Sequence, residues 1–465
     1  MFFSDTRFLF FFAAVLLALR LTRLHARWVV LLLSSLAFYA TFRTPALLLF
    51  LGAISTVAWL TARFVDRARD DRVRWRWAAG GVVNLLALLA GARLLGPGGP
   101  WTDWVPSYAR WSATIGVSYY SLQAISYVVD VYLGRMGAER NLAKVMTYLA
   151  LFPKLIQGPL ERAPILIPQL QVLQTPGYDK LRSAAVLFGV GLFKKVVLAD
   201  RLGQLVNPIY AEPRLFGGIV PVLAVYAYAF QLYFDFSGYT DMARAVARIM
   251  GIELSENFNA PYLSTSISDF WRRWHMSFSR WLLDYVFTPL QLVWRRHPRI
   301  GTAGALFVTF ALSGIWHGAA WTYAVWGLLH GFYLAFESLW KGRKNRKNAG
   351  TRWSKIGGTL LTFHLVAFAW IFFRAPSLNI AGSLLAAVAR PTIGLGRLVA
   401  QVGGRSVAVT LGAGLLYWLW AVVKDRPAVR QGAQLPALRW AAYLCLFVAI
   451  LLLRQDASSY IYSQF

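Results

Sequence analysis

Apolar runs long enough to cross a bilayer recur along the whole chain, and short polar breaks separate them. Residues 8–19 form the first run and end at the basic loop Arg20–Arg27. Residues 28–42 and 46–62 read as a helical pair turned at Arg43-Thr44-Pro45, returning into the Arg-rich loop 63–76. Residues 78–95 lead to Gly96-Pro-Gly-Gly-Pro100, a helix-stopping cluster, with Trp101, Trp104 and Trp111 beyond it as interface anchors. Residues 112–133 come back. The run 145–160 is short, and Pro153, Lys154, Gln157 and Pro159 interrupt it. Such a segment predicts a bent or re-entrant passage, tolerated only where protein or a wet cavity shelters its backbone. Further runs follow at 183–198, 216–234, 302–320, 321–340, 357–373, 407–423 and 437–453, while 378–405 is less hydrophobic and is expected to lie along the outer face. The pattern predicts an all-α polytopic membrane protein with roughly ten to twelve spans of ~20 residues. No internal repeat or low-complexity linker divides it, so residues 1–465 read as one membrane-embedded domain.

The stretch from Gln231 to Tyr285 breaks the apolar pattern with polar residues set among aromatics. Phe234-Asp-Phe-Ser-Gly-Tyr-Thr-Asp241 puts Asp235 and Asp241 beside an expected helix break at Gly238, and both carboxylates read as members of a structural polar network. Ser268 or Asp269 is the expected cap of an interfacial helix over residues 270–285. At 100° per residue Trp271, Trp274, His275, Phe278, Trp281, Leu282 and Tyr285 share one face, with Arg272, Arg273 and Arg280 largely off it. His275 falls on the buried side.

Composition agrees with the pattern: 57% of residues are hydrophobic, and the mean hydropathy is +0.48. The formal charge of +28 would suggest nucleic acid in a soluble protein. Here the cations gather in short loops, such as Lys341–Lys355 with seven basic residues and no acid, as the positive-inside rule requires. No nucleic-acid-binding pattern accompanies them. The N-terminus lacks a basic region before its first apolar run and reads as a retained membrane segment. The lone Cys445 cannot form an internal disulfide, and no metal-ligand spacing is present.

The chemistry concentrates in Ser313–Gly331, two apolar helical turns on either side of a bend. His317 lies at membrane depth, where ionisable side chains face cavities or pathways rather than lipid. Gly314 and Gly318 flank it one turn apart and admit a close neighbour. An imidazole there suits a general base. His330 is 13 residues on, roughly 220° round a straight helix, and reads as structural unless the helix bends at Gly327.

At these residues the chain resembles the membrane-bound O-acyltransferases. Phe234-Asp-Phe-Ser-Gly-Tyr-Thr-Asp-Met242, Glu256-Asn-Phe-Asn-Ala-Pro-Tyr262, Asp269-Phe-Trp-Arg-Arg-Trp-His-Met-Ser277 and Gly314-Ile-Trp-His-Gly-Ala319 look like that family's motifs. Met1-Phe-Phe-Ser4, Phe152–Leu160, Trp370–Ala375 and Ile461–Phe465 resemble its bacterial alginate O-acetylase branch, which is related to the D-alanyl transfer proteins of teichoic acid. Leu283 departs from that branch, which tends to carry Arg before Asp284-Tyr285.

The resemblance implies a ring of tilted helices around a central funnel, with His317 and His275 as catalytic residues. It implies no bound cofactor and an acyl group, acetyl from cytoplasmic acetyl-CoA, passed outward across the bacterial inner membrane. The acceptor is then an extracytoplasmic polysaccharide, served by a partner acetyltransferase, with membrane lipid around the chain. Two alternatives stay open: D-alanyl transfer from a carrier protein, and transport of a lipid-linked sugar with His317 as a proton relay.

Overall fold

The computed structural model describes residues 1–42, 45–95, 115–341, 351–404, 435–454 and 460–461, with isolated positions between 405 and 434. Every regular element among them is helical. The expected loop at 96–100 with its three tryptophans, most of the loop 341–355, the turn at 424–430 and most of the C-terminal motif lie outside the described residues. Six described helices are long and apolar enough to cross a membrane. The chain divides into two compact units, residues 1–188, 239–255 and 459–465 forming one, and 189–238 with 256–458 the other.

In the first unit, α1 (Thr6–Leu21), α2 (Arg27–Ala40), α3 (Pro45–Arg67), α4 (Asp71–Leu95) and α5 (Val117–Tyr132) cover the predicted runs, but α3 and α4 reach beyond 46–62 and 78–95, so the expected Arg-rich loop 63–76 is helical except at residues 68–70. Phe3, Phe8, Phe38 and Phe152 are buried together, with the Phe38 and Phe152 ring centroids 5.6 Å apart. The short run at 145–160 bends as its prolines require. Helix α6 (Leu142–Ala150) stops before a buried turn at 151–158, and helix resumes at α7 (Ala163–Gln171). The turn is held by polar bonds: the Phe152 amide donates to Ser35 Oγ at 3.1 Å, and Lys154 Nζ donates to Gln123 Oε1 at 2.6 Å. A buried ammonium is tolerated only with such partners. Helix α8 (Tyr178–Phe193) begins in this unit and ends in the second.

The second unit continues with a π-helical segment (Lys194–Ala199) and α9 (Asp200–Ala211). Helix α10 (Ile219–Ile249) supplies residues up to Gly238 to it and the rest to the first unit. The expected break at Gly238 is absent: α10 runs through it unbroken. Glycine is needed there for clearance, because a Cβ would stand 2.7 Å from the Gly191 carbonyl oxygen.

The predicted continuous helix over 270–285 is also corrected. Two short helices, α11 (Ile267–Trp271) and α12 (Met276–Leu282), meet at His275, whose φ of 41° is left-handed, and a π segment (Leu283–Phe287) and α13 (Thr288–Val293) follow. The cap of α11 is Ser266, whose side chain accepts from the Asp269 amide, rather than Ser268 or Asp269. The sidedness survives the break: Trp271, Trp274, His275, Phe278, Trp281 and Leu282 are buried, while Arg272 and Arg280 are exposed.

Helices α14 (Pro298–His317) and α15 (Trp321–Lys341) form the hairpin that carries His317 and His330, turned at 318–320. They cross on glycine. A Cβ on Gly314 would lie 2.4 Å from the Tyr323 carbonyl, and one on Gly327 would lie 2.5 Å from that of Phe310. Gly314 therefore pairs with Gly327 across the hairpin, whereas Gly318 ends α14 and lies under the Tyr323 ring. Helices α16 (Arg352–Arg374), α17 (Leu378–Val388), α18 (Leu395–Val402) and α19 (Pro436–Leu453) complete the described chain.

Candidate active site

His317 is the last residue of α14, 4% exposed, and its ring is packed between aromatic rings. Centroids of Trp316, Trp326, Phe373 and Phe278 stand 4.7, 4.9, 5.1 and 5.9 Å away. Three elements, α12, α15 and α16, thus fix the imidazole, and the glycine crossing brings α15 near enough to do so. The bend at 318–320 also answers the phase problem with His330. The two histidines sit on separate helices, and both rings pack on Trp326, His330 at 5.1 Å. His330 Nδ1 accepts from Trp271 Nε1 at 3.2 Å and the residue is fully buried, which matches its structural reading.

His275 is 1% exposed and shares Phe278 with His317: its ring stands 5.2 Å from Phe278 and 4.7 Å from Phe236. Its left-handed backbone has a long-range cause. Residues 257–259 are stitched to the α11–α12 junction, Met276 N donating to Asn257 O at 3.0 Å and Asn259 N to Arg273 O at 2.9 Å. Asn257 Oδ1 then accepts from Ser277 N at 3.1 Å and Ser277 Oγ at 2.8 Å, and it lies 3.3 Å from His275 Nδ1. The amide N–H of Ser277 can only donate, so that atom of Asn257 is oxygen and the His275 nitrogen facing it must carry hydrogen. The Nε2 of His275 is left as the lone-pair nitrogen.

His275 lies outside the six membrane-crossing helices, and burial pushes its imidazole down to about 3. An unfolded imidazole titrates near ~6.5. Between those values the native state binds fewer protons than the unfolded one. The stability linked to this residue is complete above about 6.5 and is lost as pH falls towards the folded value. Acidification from pH 7 to pH 5 should cost the natural chain about 2 kcal/mol through this residue. His275→Asn, which tolerates left-handed backbone, removes that share, so its melting temperature is expected to fall less over the same range. Parallel melting curves for the two proteins would disprove a His275 that is buried in its neutral form.

Both acidic residues of the 231–241 stretch have basic side chains beside them. Asp235 receives Lys195 Nζ at 2.8 Å, and the same ammonium contacts Asp200 at 2.8 Å, all three side chains being buried. Asp241 lies 3.8 Å from Arg244. The network reading of both aspartates holds for these contacts. Lys195 and Asp200 are partners that sequence reasoning missed, although a lysine inside the apolar run 183–198 was a signal. Among the described residues no group of three or more His, Cys, Asp or Glu side chains is arranged to hold a metal.

The fold and the site define a helical membrane protein with two buried histidines gathered on one aromatic ring. Residues 136–382 match the model of the MBOAT, membrane-bound O-acyltransferase, family. The chain is 38% identical to the probable alginate O-acetylase AlgI of Pseudomonas aeruginosa over 390 residues, 82% of this chain and 73% of that one. It is 30% identical to the peptidoglycan O-acetyltransferase of Helicobacter pylori over 392 residues, 76% and 72% of the two chains. With the teichoic acid D-alanyltransferase of Streptococcus thermophilus the identity is 32% over 283 residues, 56% and 68%. The chain belongs to the membrane-bound O-acyltransferase family. It is a multi-pass membrane protein and an O-acyltransferase.

Proposed function

We propose that this chain takes an acetyl group from cytoplasmic acetyl-CoA and delivers it to hydroxyls of an extracytoplasmic polysaccharide at the bacterial inner membrane, with His317 as general base. The observation that carries the reading is the pairing of two buried imidazoles on Phe278, one of them held in a defined neutral tautomer. The relatives named for alginate and peptidoglycan O-acetylation support the acceptor class. In the proposed step the acceptor O–H gives its proton to the His317 imidazole while its oxygen bonds to the thioester carbonyl carbon. The C–S bond breaks, and the thiolate takes the proton back from the imidazolium. His275, neutral with a lone pair on Nε2, accepts a hydrogen bond and orients the hydroxyl. A partner acetyltransferase on the outer side makes the final transfer to the polymer.

The relationship to teichoic acid D-alanyltransferases makes the donor the point to test. Proteoliposomes holding the full chain and its partner are loaded with either labelled acetyl-CoA or a D-alanyl carrier protein, with polysaccharide outside. Label is expected on the polymer from acetyl-CoA alone. Label from the charged carrier alone would reassign the donor, and sugar flux without any acyl product would defeat the acyl-transfer step.

A further inference from the structure

A groove of about 560 Å³ opens in the second unit along α11, α12 and the π segment that follows, against α14 and α15. Neither His317 nor His275 lines it. Its walls are apolar, built from Trp271, Leu282, Leu283, Phe287, Leu306 and Phe310. Several polar groups of the lining are already engaged. Thr309 Oγ1 donates to Ala305 O at 2.6 Å, Ser279 Oγ to Trp274 O at 3.1 Å, and Trp271 Nε1 to His330 at 3.2 Å. A hydrocarbon guest fits such walls without stranding a buried polar atom.

Two lining residues have the opposite character. The Arg272 side chain is 71% exposed and only 3.8 Å from Asp269, a carboxylate that Arg273 Nε already engages at 3.1 Å. Arg280 is exposed and has no acidic partner among the described residues. Two guanidiniums beside an apolar slot are complementary to an amphiphile with an anionic head.

We propose that this groove holds an anionic phospholipid of the surrounding membrane, a tail in the slot and its phosphodiester against Arg272 and Arg280. Guanidinium forks match phosphate oxygens in geometry and charge. A zwitterionic lipid offers the same phosphate but brings an ammonium towards the arginines, which discriminates against it. The site needs only the membrane and does not depend on the acyl-transfer step.

The test uses full-length protein in phosphatidylcholine nanodiscs doped with diazirine-tailed phosphatidylglycerol, or with diazirine-tailed phosphatidylcholine, followed by mapping of the crosslinks. Phosphatidylglycerol adducts are expected on peptides carrying Leu282, Leu283 and Leu306. Arg272→Gln with Arg280→Gln should lower them by about tenfold or more, and both residues are exposed enough for the fold to survive. Leu306→Trp fills the slot without altering charge and should remove the adducts as well. Equal labelling by the two headgroups, labelling indifferent to the glutamine pair, or no labelling of the groove would each overturn the proposal.

Discussion

His317→Ala is expected to abolish polymer acylation in the reconstituted system, lowering the rate by about 10²–10⁴-fold, the range a positioned acid–base group supplies. The protein itself should reach the membrane at normal levels, because the ring is held by aromatic packing and three neighbouring elements persist without it. His317→Gln separates chemistry from volume: it keeps much of the side-chain bulk but cannot act as a base near neutral pH. His330→Gln is the matched control, since His330 packs on the same Trp326 yet makes a hydrogen bond to Trp271. That variant should lose melting temperature while keeping a rate per folded molecule within several-fold of the natural chain. Acylation at full rate by His317→Gln would sink the base assignment. Equal rate losses in the His317 and His330 variants would instead mark both as packing residues.

The parts of this arrangement visible in the sequence were those governed by local periodicity and local cost. Loops rich in arginine and apolar runs gave the membrane class, Pro153 and Pro159 foretold the bend at 151–158, and the 3.6-residue period sorted Trp271, Trp274, His275 and Phe278 inward. His317 was conspicuous because a titratable group at that depth is costly. What escaped was set by distant partners. The period that sorts the faces of 270–285 is blind to the left-handed residue at His275, because the break is imposed by bonds from Asn257, 18 residues earlier. Gly238 invited a helix break and instead serves a backbone contact with Gly191. Spacing alone pairs Gly314 with Gly318, whereas its steric partner is Gly327 on the next helix. In each case the residue type signalled a constraint, and only the tertiary contact says which.

Lys195→Met is expected to destabilise the protein more than a change at either aspartate. Lys195 Nζ lies 2.8 Å from both Asp200 and Asp235, and all three side chains are at most 4% exposed. The π segment makes the first of these contacts possible, since its wider turn places Lys195 one turn before Asp200, the first residue of α9. Removing the cation leaves two buried carboxylates sharing a site, and breaking a buried pair costs roughly 3–5 kcal/mol. Asp235→Asn should cost less, because Lys195 keeps Asp200 and the amide oxygen still accepts its hydrogen bond. The neutral triple variant, Lys195→Met with Asp200→Asn and Asp235→Asn, distinguishes charge balance from shape. If desolvated charge is the dominant cost, the triple variant regains much of the stability lost by Lys195→Met, because no uncompensated charge is left in the interior. Melting temperatures in one detergent decide it: a triple variant no more stable than Lys195→Met would mean that the network acts through its hydrogen-bond geometry rather than its charge.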